Sequence, residues 1–296
     1  MRIGIGLPNA VPDTTRDQIT DWARAAEEAG FSTLGTIDRL VFDSYESIVA
    51  LSAAAAVTER IRLTADVMLG PLRQNPAMIA KQVLSLDALA GGGRAVLGIG
   101  VGAREDDFRV GGTDMSTRGQ WFDAALPKIR AIFDGDGDLE SKVGPRPRGD
   151  GPTLLVGGGV QRAFERAAQY GDGWTQGGSG PDQFADDITQ LNEAWKKAGR
   201  AGTPYTLSLV YFSLGPDAQK NAEHDLGAYY EWLGEDLKQM IVGSAAKDAD
   251  TVQQYISAFE SHGCDELIFF PASANTEQVS LLADAAGLGA GALSSS

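Results

Sequence analysis

Histidine and cysteine are almost missing from this chain of 296 residues, which has two of the first and one of the second. A lone cysteine, Cys264, rules out an internal disulfide framework and a cysteine zinc site, and it fits a reducing compartment. It reads as a small buried apolar residue. His224 and His262 fall on predicted helices away from any strand end, so no histidine–carboxylate cluster can form and no metal is expected. No G-x-S-x-G nucleophile elbow is present either. Positive charge is also scarce: 25 Lys and Arg stand against 40 Asp and Glu, a net charge of −15. Such a surface repels nucleic acid and anionic lipid, so neither is an expected partner. No apolar run approaches the roughly 18 to 20 residues of a membrane span. The opening Met1-Arg2-Ile3-Gly4-Ile5-Gly6-Leu7 is too short for the core of a signal peptide. A soluble, cytoplasmic protein is expected.

What the chain has in quantity is alternation. Short β-type runs are read at 3–7, 31–37, 61–67, 95–100, 153–156, 173–175, 205–214 and 266–270. Helical periodicity lies between them, at 15–29, 45–57, 76–89, 119–133, 161–170, 181–198, 218–241, 249–262 and 276–286. The helix at 218–241 has a break at Gly234, and 104–118 reads as a loop carrying Gly111-Gly112. Eight strand–helix units predict an α/β fold, a (β/α)8 TIM barrel in one domain over 1–287. A doubly wound sheet would want a glycine fingerprint after the first strand, which Leu7-Pro8-Asn9 is not. The stretch 134–151 reads as an exposed excursion, because the rhythm resumes unchanged after it. Residues 288–296 read as a flexible tail.

In a barrel the chemistry sits on the loops after the strands. Gly157-Gly158-Gly159-Val160 ends one strand just ahead of a helix, and Gln176-Gly177-Gly178-Ser179-Gly180 does so for the next. Backbone amides at such a helix start can hold a phosphate, though a tight turn wants glycine as well. Charge gathers at two other strand ends, Asp38-Arg39 and Arg104-Glu105-Asp106-Asp107. Few acid–base groups beside phosphate-ready loops suggest that a bound cofactor supplies the hard chemistry.

The order of motifs is more specific. Thr58-Glu59-Arg60-Ile61-Arg62-Leu63 leads to Pro71-Leu72-Arg73, Asn75-Pro76, Ala80-Lys81-Gln82 and Ser85-Leu86-Asp87. Gly91 to Arg94 then precedes Leu97-Gly98-Ile99-Gly100-Val101-Gly102. Leu155-Val156-Gly157-Gly158 is followed by Tyr170-Gly171-Asp172-Gly173-Trp174. In this the chain resembles the luciferase-like monooxygenase family, the barrel enzymes that use flavin or deazaflavin, over essentially its whole length.

The resemblance implies a flavin-type cofactor across the barrel mouth. Asp66-Val67 would be the strand-end bulge behind the ring, often a non-proline cis peptide. Gly100, Val101, Gly102 and Asp106 would flank the ring. Gly157, Gly158, Gly159 and Val160 would take the phosphate, with Gly177 and Gly178 nearby. Asp38 matches an acidic position of the deazaflavin members, but Arg39 and Ala103 stand where that subgroup has His and Glu. This departure argues against sugar-phosphate dehydrogenation. Asp38 and Arg39 remain the candidate catalytic residues, Arg39 as an anion anchor or as a structural partner of Asp38.

The leading expectation is a monooxygenase that uses reduced FMN and O2 on a small organic substrate, with a flavin reductase as partner. The alternative is hydride transfer with the deazaflavin coenzyme F420. A non-catalytic barrel subunit is the reading from another class. A homodimer is expected by analogy, through alanine-rich faces such as 52–57.

Overall fold

The computed structural model describes residues 1–146 and 149–290. Eight parallel strands close into a barrel in chain order: β1 (Arg2–Gly6), β2 (Thr33–Thr36), β3 (Arg62–Leu69), β4 (Ala95–Gly100), β5 (Thr153–Gly157), β6 (Gly173–Thr175), β7 (Tyr205–Phe212) and β8 (Glu266–Pro271). The seam is β1 on β8, from Arg2 opposite Glu266 to Ile5 opposite Phe269. The expected TIM barrel is therefore the fold.

The helices that wrap it are α1 (Arg16–Glu28), α2 (Ser47–Ala55), α3 (Pro76–Leu89), α4 (Glu105–Gly111), α5 (Arg118–Asp134), α6 (Gln161–Tyr170), α7 (Pro181–Lys197), α11 (Ala249–Ser261) and α12 (Glu277–Ala286). Three short helices, α8 (Ala218–Asn221), α9 (Gly227–Tyr229) and α10 (Glu235–Ser244), follow β7, and a π turn over Ala222–Leu226 joins α8 to α9. Local chemistry sets these boundaries. Thr15 and Gln18 form a reciprocal capping box at α1. Asn75 caps α3, with Pro76 at its first position, where a missing N–H costs nothing.

Two readings of the sequence are corrected here. Residues 104–118 are not a continuous loop. Three acids in the first turn favour a helix start, and Gly112, in the left-handed region, ends α4. The helix read at 218–241 is broken at Tyr230 as well as Gly234, with α10 running on to Ser244. The excursion at 134–151 holds one short 3-10 turn, Glu140–Lys142. Pro147 and Arg148 within it, and 291–296 of the expected tail, lie outside the described residues.

The core has two parts. Between barrel and helices, an aromatic chain ties α6, α7 and α11 to β6: Phe164, Trp174, Phe184 and Phe259 pack with centroids 5.6, 5.8 and 5.4 Å apart. Inside the barrel, Phe270 fills the axis because β1 and β2 offer glycine to it. A Cβ on Gly6 would lie 2.4 Å from the Phe270 ring, and one on Gly35 2.7 Å. At the N-terminal end of the barrel, buried Glu266 accepts from Ser32, Arg62 and Tyr205 and so is fully partnered. Cys264 is buried as expected, and burial pushes its thiol up to about 12, which makes it inert.

Candidate functional site at the barrel mouth

The C-terminal ends of the strands are built around an irregularity in β3. Its register with β4 shifts between Ala65 and Met68, and the Asp66–Val67 peptide is cis. The bulge turns both side chains against neighbouring strands that carry glycine. A Cβ on Gly98 would meet the Ala65 carbonyl at 2.8 Å and the Asp66 carboxyl at 3.0 Å. One on Gly100 would meet Val67 at 2.9 Å, and one on Gly157 would meet it at 3.1 Å. Gly98, Gly100 and Gly157 thus make room for the bulge.

Asp66 is wholly buried. Thr175 donates to its Oδ1 at 2.6 Å, while Oδ2 has no partner. Burial, opposed by the Thr175 hydrogen bond and reinforced by the Glu266 charge, pushes this carboxyl up to about 7. Val67 is half-buried beside it.

The glycine loop after β5 leads into α6 with no side-chain cap. The backbone amides of 159–162 have no acceptor among the described residues. Gly158 adopts φ +128°, which only glycine takes readily, and its carbonyl accepts from Trp174 Nε1. Gly158, Gly159 and Val160 are exposed. Free amides at an exposed helix N-terminus are what a phosphate requires, so these residues fit the phosphate of a flavin or deazaflavin. The loop after β6 fits it less well, because α7 opens with Pro181, which lacks an N–H, and Asp182. Gly177 and Gly178 instead line a cleft of about 350 Å³ with Leu209, Tyr211, Tyr230 and Met240.

Asp38 and Arg39 do not pair with each other. Asp38 accepts from the Leu69 amide at 2.9 Å and from Arg73 at 2.7 Å, and Arg73 also holds Glu46. Arg39 reaches Asp106 at 3.0 Å and the Tyr229 carbonyl at 2.9 Å. Asp107 receives the amides of Leu40 and Val41. Asp106 is thereby engaged by Arg39, and α4 is stapled to the loop after β2. Val101 is half-buried, and Gly102 (φ +76°) packs beside Phe108 and Leu69.

Several mouth residues were not singled out from sequence. The segment after β7 lays Tyr229 and Tyr230 over the strand ends, and Tyr230 shares a 2.6 Å hydroxyl hydrogen bond with Tyr211. Burial raises all three phenols above their usual range. Asp225 on the π turn faces Leu7, Ile37 and Tyr211, and burial raises its carboxyl against the opposing pull of His224. The Tyr-Tyr-Glu-Trp cluster just ahead of Gly234 was the available signal. A separate groove of about 530 Å³ between α6 and α7 runs along the outer wall, lined by Arg162, Glu165, Lys197 and Arg200, and has no part in this mouth.

The family model described as luciferase-like monooxygenase matches residues 1–278. The chain belongs to this family. Membership makes it a luciferase-like oxidoreductase, and a flavin or deazaflavin is the cofactor typical of such barrels. An uncharacterized protein of Mycobacterium tuberculosis is 31% identical over 219 residues, 64% of this chain and 74% of that one. The F420-dependent glucose-6-phosphate dehydrogenase of Kineococcus radiotolerans is 30% identical over 203 residues, 62% of this chain and 59% of that one. Among luciferase-like structures, an F420-dependent secondary alcohol dehydrogenase with an F420–acetone adduct superimposes with TM-score 0.80 at 17% identity, covering 97% of this chain and 98% of that one. A monooxygenase from Streptomyces bottropensis does so with TM-score 0.76 at 21% identity, covering 96% and 98%. No described helix is long and apolar enough to cross a membrane.

Proposed function

We propose that this luciferase-like barrel is a coenzyme F420-dependent oxidoreductase that transfers a hydride to or from a small organic substrate at the barrel mouth. The observation that carries the choice of deazaflavin is the 30% identity to a named F420-dependent dehydrogenase. The fold neighbour that binds an F420–acetone adduct adds to it. The reading reverses the order expected from sequence, in which FMN came first.

The bound deazaflavin would supply the hydride chemistry; the chain supplies position and a dry pocket. Amides 159–162 would hold the phosphate, and Val67 would back the ring. Asp38 and Arg39 are each locked in an ion pair, which suits them to shaping the mouth and not to moving protons. The hydroxyl groups of Tyr211 and Tyr230 stay protonated near neutral pH and hold a proton at the mouth. Arg39 and Ala103 in place of the His and Glu expected of sugar-phosphate dehydrogenases direct the proposal to a different substrate.

The second reading, a reduced-FMN monooxygenase served by a flavin reductase, is supported by the Streptomyces fold neighbour. Oxygen-free incubation with reduced F420 and a panel of small ketones and enones separates the two. Substrate-dependent F420 oxidation without oxygen is expected. Turnover seen only with reduced FMN and O2 would reverse the order again. A homodimer belongs to the same proposal. On the 52–57 face Ala54 and Ala55 are buried within the chain, while Ser52, Ala53, Ala56 and Val57 keep the surface that the interface would use.

A further inference from the structure

Three arginines stand at the strand ends between β2 and β4, and their charges are balanced unequally. Arg39 is paired with Asp106, and Arg73 with Asp38 and Glu46. Arg104, the N-cap residue of α4, pairs with no carboxylate among the described residues. Its guanidinium carbon lies 4.6 Å from the centroid of Tyr229, 5.2 Å from that of Trp232 and 5.9 Å from that of Tyr230. Its polar neighbour is the Tyr229 phenol, and its Nε is buried without a hydrogen-bond partner.

Nothing adjacent supplies the missing counter-charge. The raised phenols of Tyr211, Tyr229 and Tyr230 are neutral near neutral pH. In the first turn of α4, Asp106 serves Arg39, Asp107 serves two amides, and Glu105 is exposed. Arg104 also sits at the positive end of that helix, where a cation is disfavoured. Ring faces soften such a charge but do not neutralise it. Tyr230 forms one wall of this cage and also one wall of the 350 Å³ cleft, whose lining includes Leu209, Val210, Met240 and Ile241. An unbalanced cation and a largely apolar cleft therefore share Tyr230 as a wall, on an otherwise acidic protein, although Arg104 itself does not line the cleft.

We propose that the substrate is an organic anion, its carboxylate or equivalent head held by Arg104 and its apolar body in the cleft bounded by Tyr230. The inference rests on the barrel mouth being the substrate face and holds for either cofactor.

Calorimetric titration of the cofactor-free protein with 4-phenylbutyrate and with 4-phenylbutyramide tests it. The carboxylate is expected to bind at least tenfold more tightly than the neutral amide. Arg104→Gln should erase the preference, and Arg104→Lys should restore part of it. Equal affinities for the two probes, no binding of either, or a preference that survives Arg104→Gln would overturn the proposal. The titration is then repeated with F420 or FMN at saturation. Undiminished carboxylate binding supports a substrate site, whereas competitive displacement gives Arg104 to the cofactor's own anionic groups and overturns the proposal. Failure of both cofactors to bind would defeat the hydride-transfer reading and leave the carboxylate-over-amide comparison intact.

Discussion

Asp66 sits inside the barrel wall with one carboxyl oxygen on Thr175 and the other unpartnered. Its carboxyl is raised from the usual 3.8 to about 7, so the folded state keeps a proton that the unfolded chain gives up between those values. Stability should therefore fall as pH rises from about 4 to about 7 and level off above, by on the order of 4 kcal/mol in total. Asp66→Asn removes the charge and should flatten that slope, leaving the variant the more stable protein at pH 8. Urea melts from pH 5 to pH 8 measure this directly, and an unchanged slope would show that Asp66 is not the titrating group. Sequence marked Asp66 as important through family resemblance alone. It could not show the unpartnered oxygen, because Thr175 lies 109 residues away. The same limit explains Asp38: Arg39 is its neighbour in sequence, but the partner in space is Arg73.

At the scale of elements, glycine explains much of the family pattern through clearance. Gly98, Gly100 and Gly157 admit the β3 bulge, and Gly6 and Gly35 admit Phe270. Gly173 is the extreme case, because a Cβ there would lie 1.9 Å from the Tyr205 carbonyl of the adjacent strand. Gly173→Ala should cost more than about 4 kcal/mol or prevent folding. A chemical melt within about 1 kcal/mol of wild type would mean that β6 and β7 can part without loss. Eight strands were legible because each is a short apolar run between helices of clear period. The α4 helix was not, because Glu-Asp-Asp followed by Gly-Gly serves equally as a turn or as a helix start with its stop. Only the docking of Asp106 and Asp107 on the loop after β2 decides between them.

At the scale of the molecule, the β7–β8 connection extends across the barrel mouth and brings Tyr229, Tyr230, Trp232 and Asp225 against the loops after β2 and β4 and against Tyr211 of β7. The Tyr-Tyr-Glu-Trp cluster was the one sign of this in the sequence and did not decide it, since a helical run of that composition also suits the outer wall. The barrel and the family were legible; the placement of Tyr229, Tyr230 and Trp232 at the mouth was not. In the proposed function a deazaflavin is held by the α6 N-terminus at this mouth. Parallel titrations with F420 and with FMN, followed by protein fluorescence at fixed ionic strength, test it most directly. F420 should bind at least tenfold more tightly than FMN, and Gly159→Val, at an exposed position whose added Cβ would come no nearer than 3.6 Å to Asp187, should weaken that binding at least tenfold while leaving the melting temperature within a few degrees of wild type. Tighter binding of FMN, or F420 affinity that Gly159→Val leaves untouched, would contradict it.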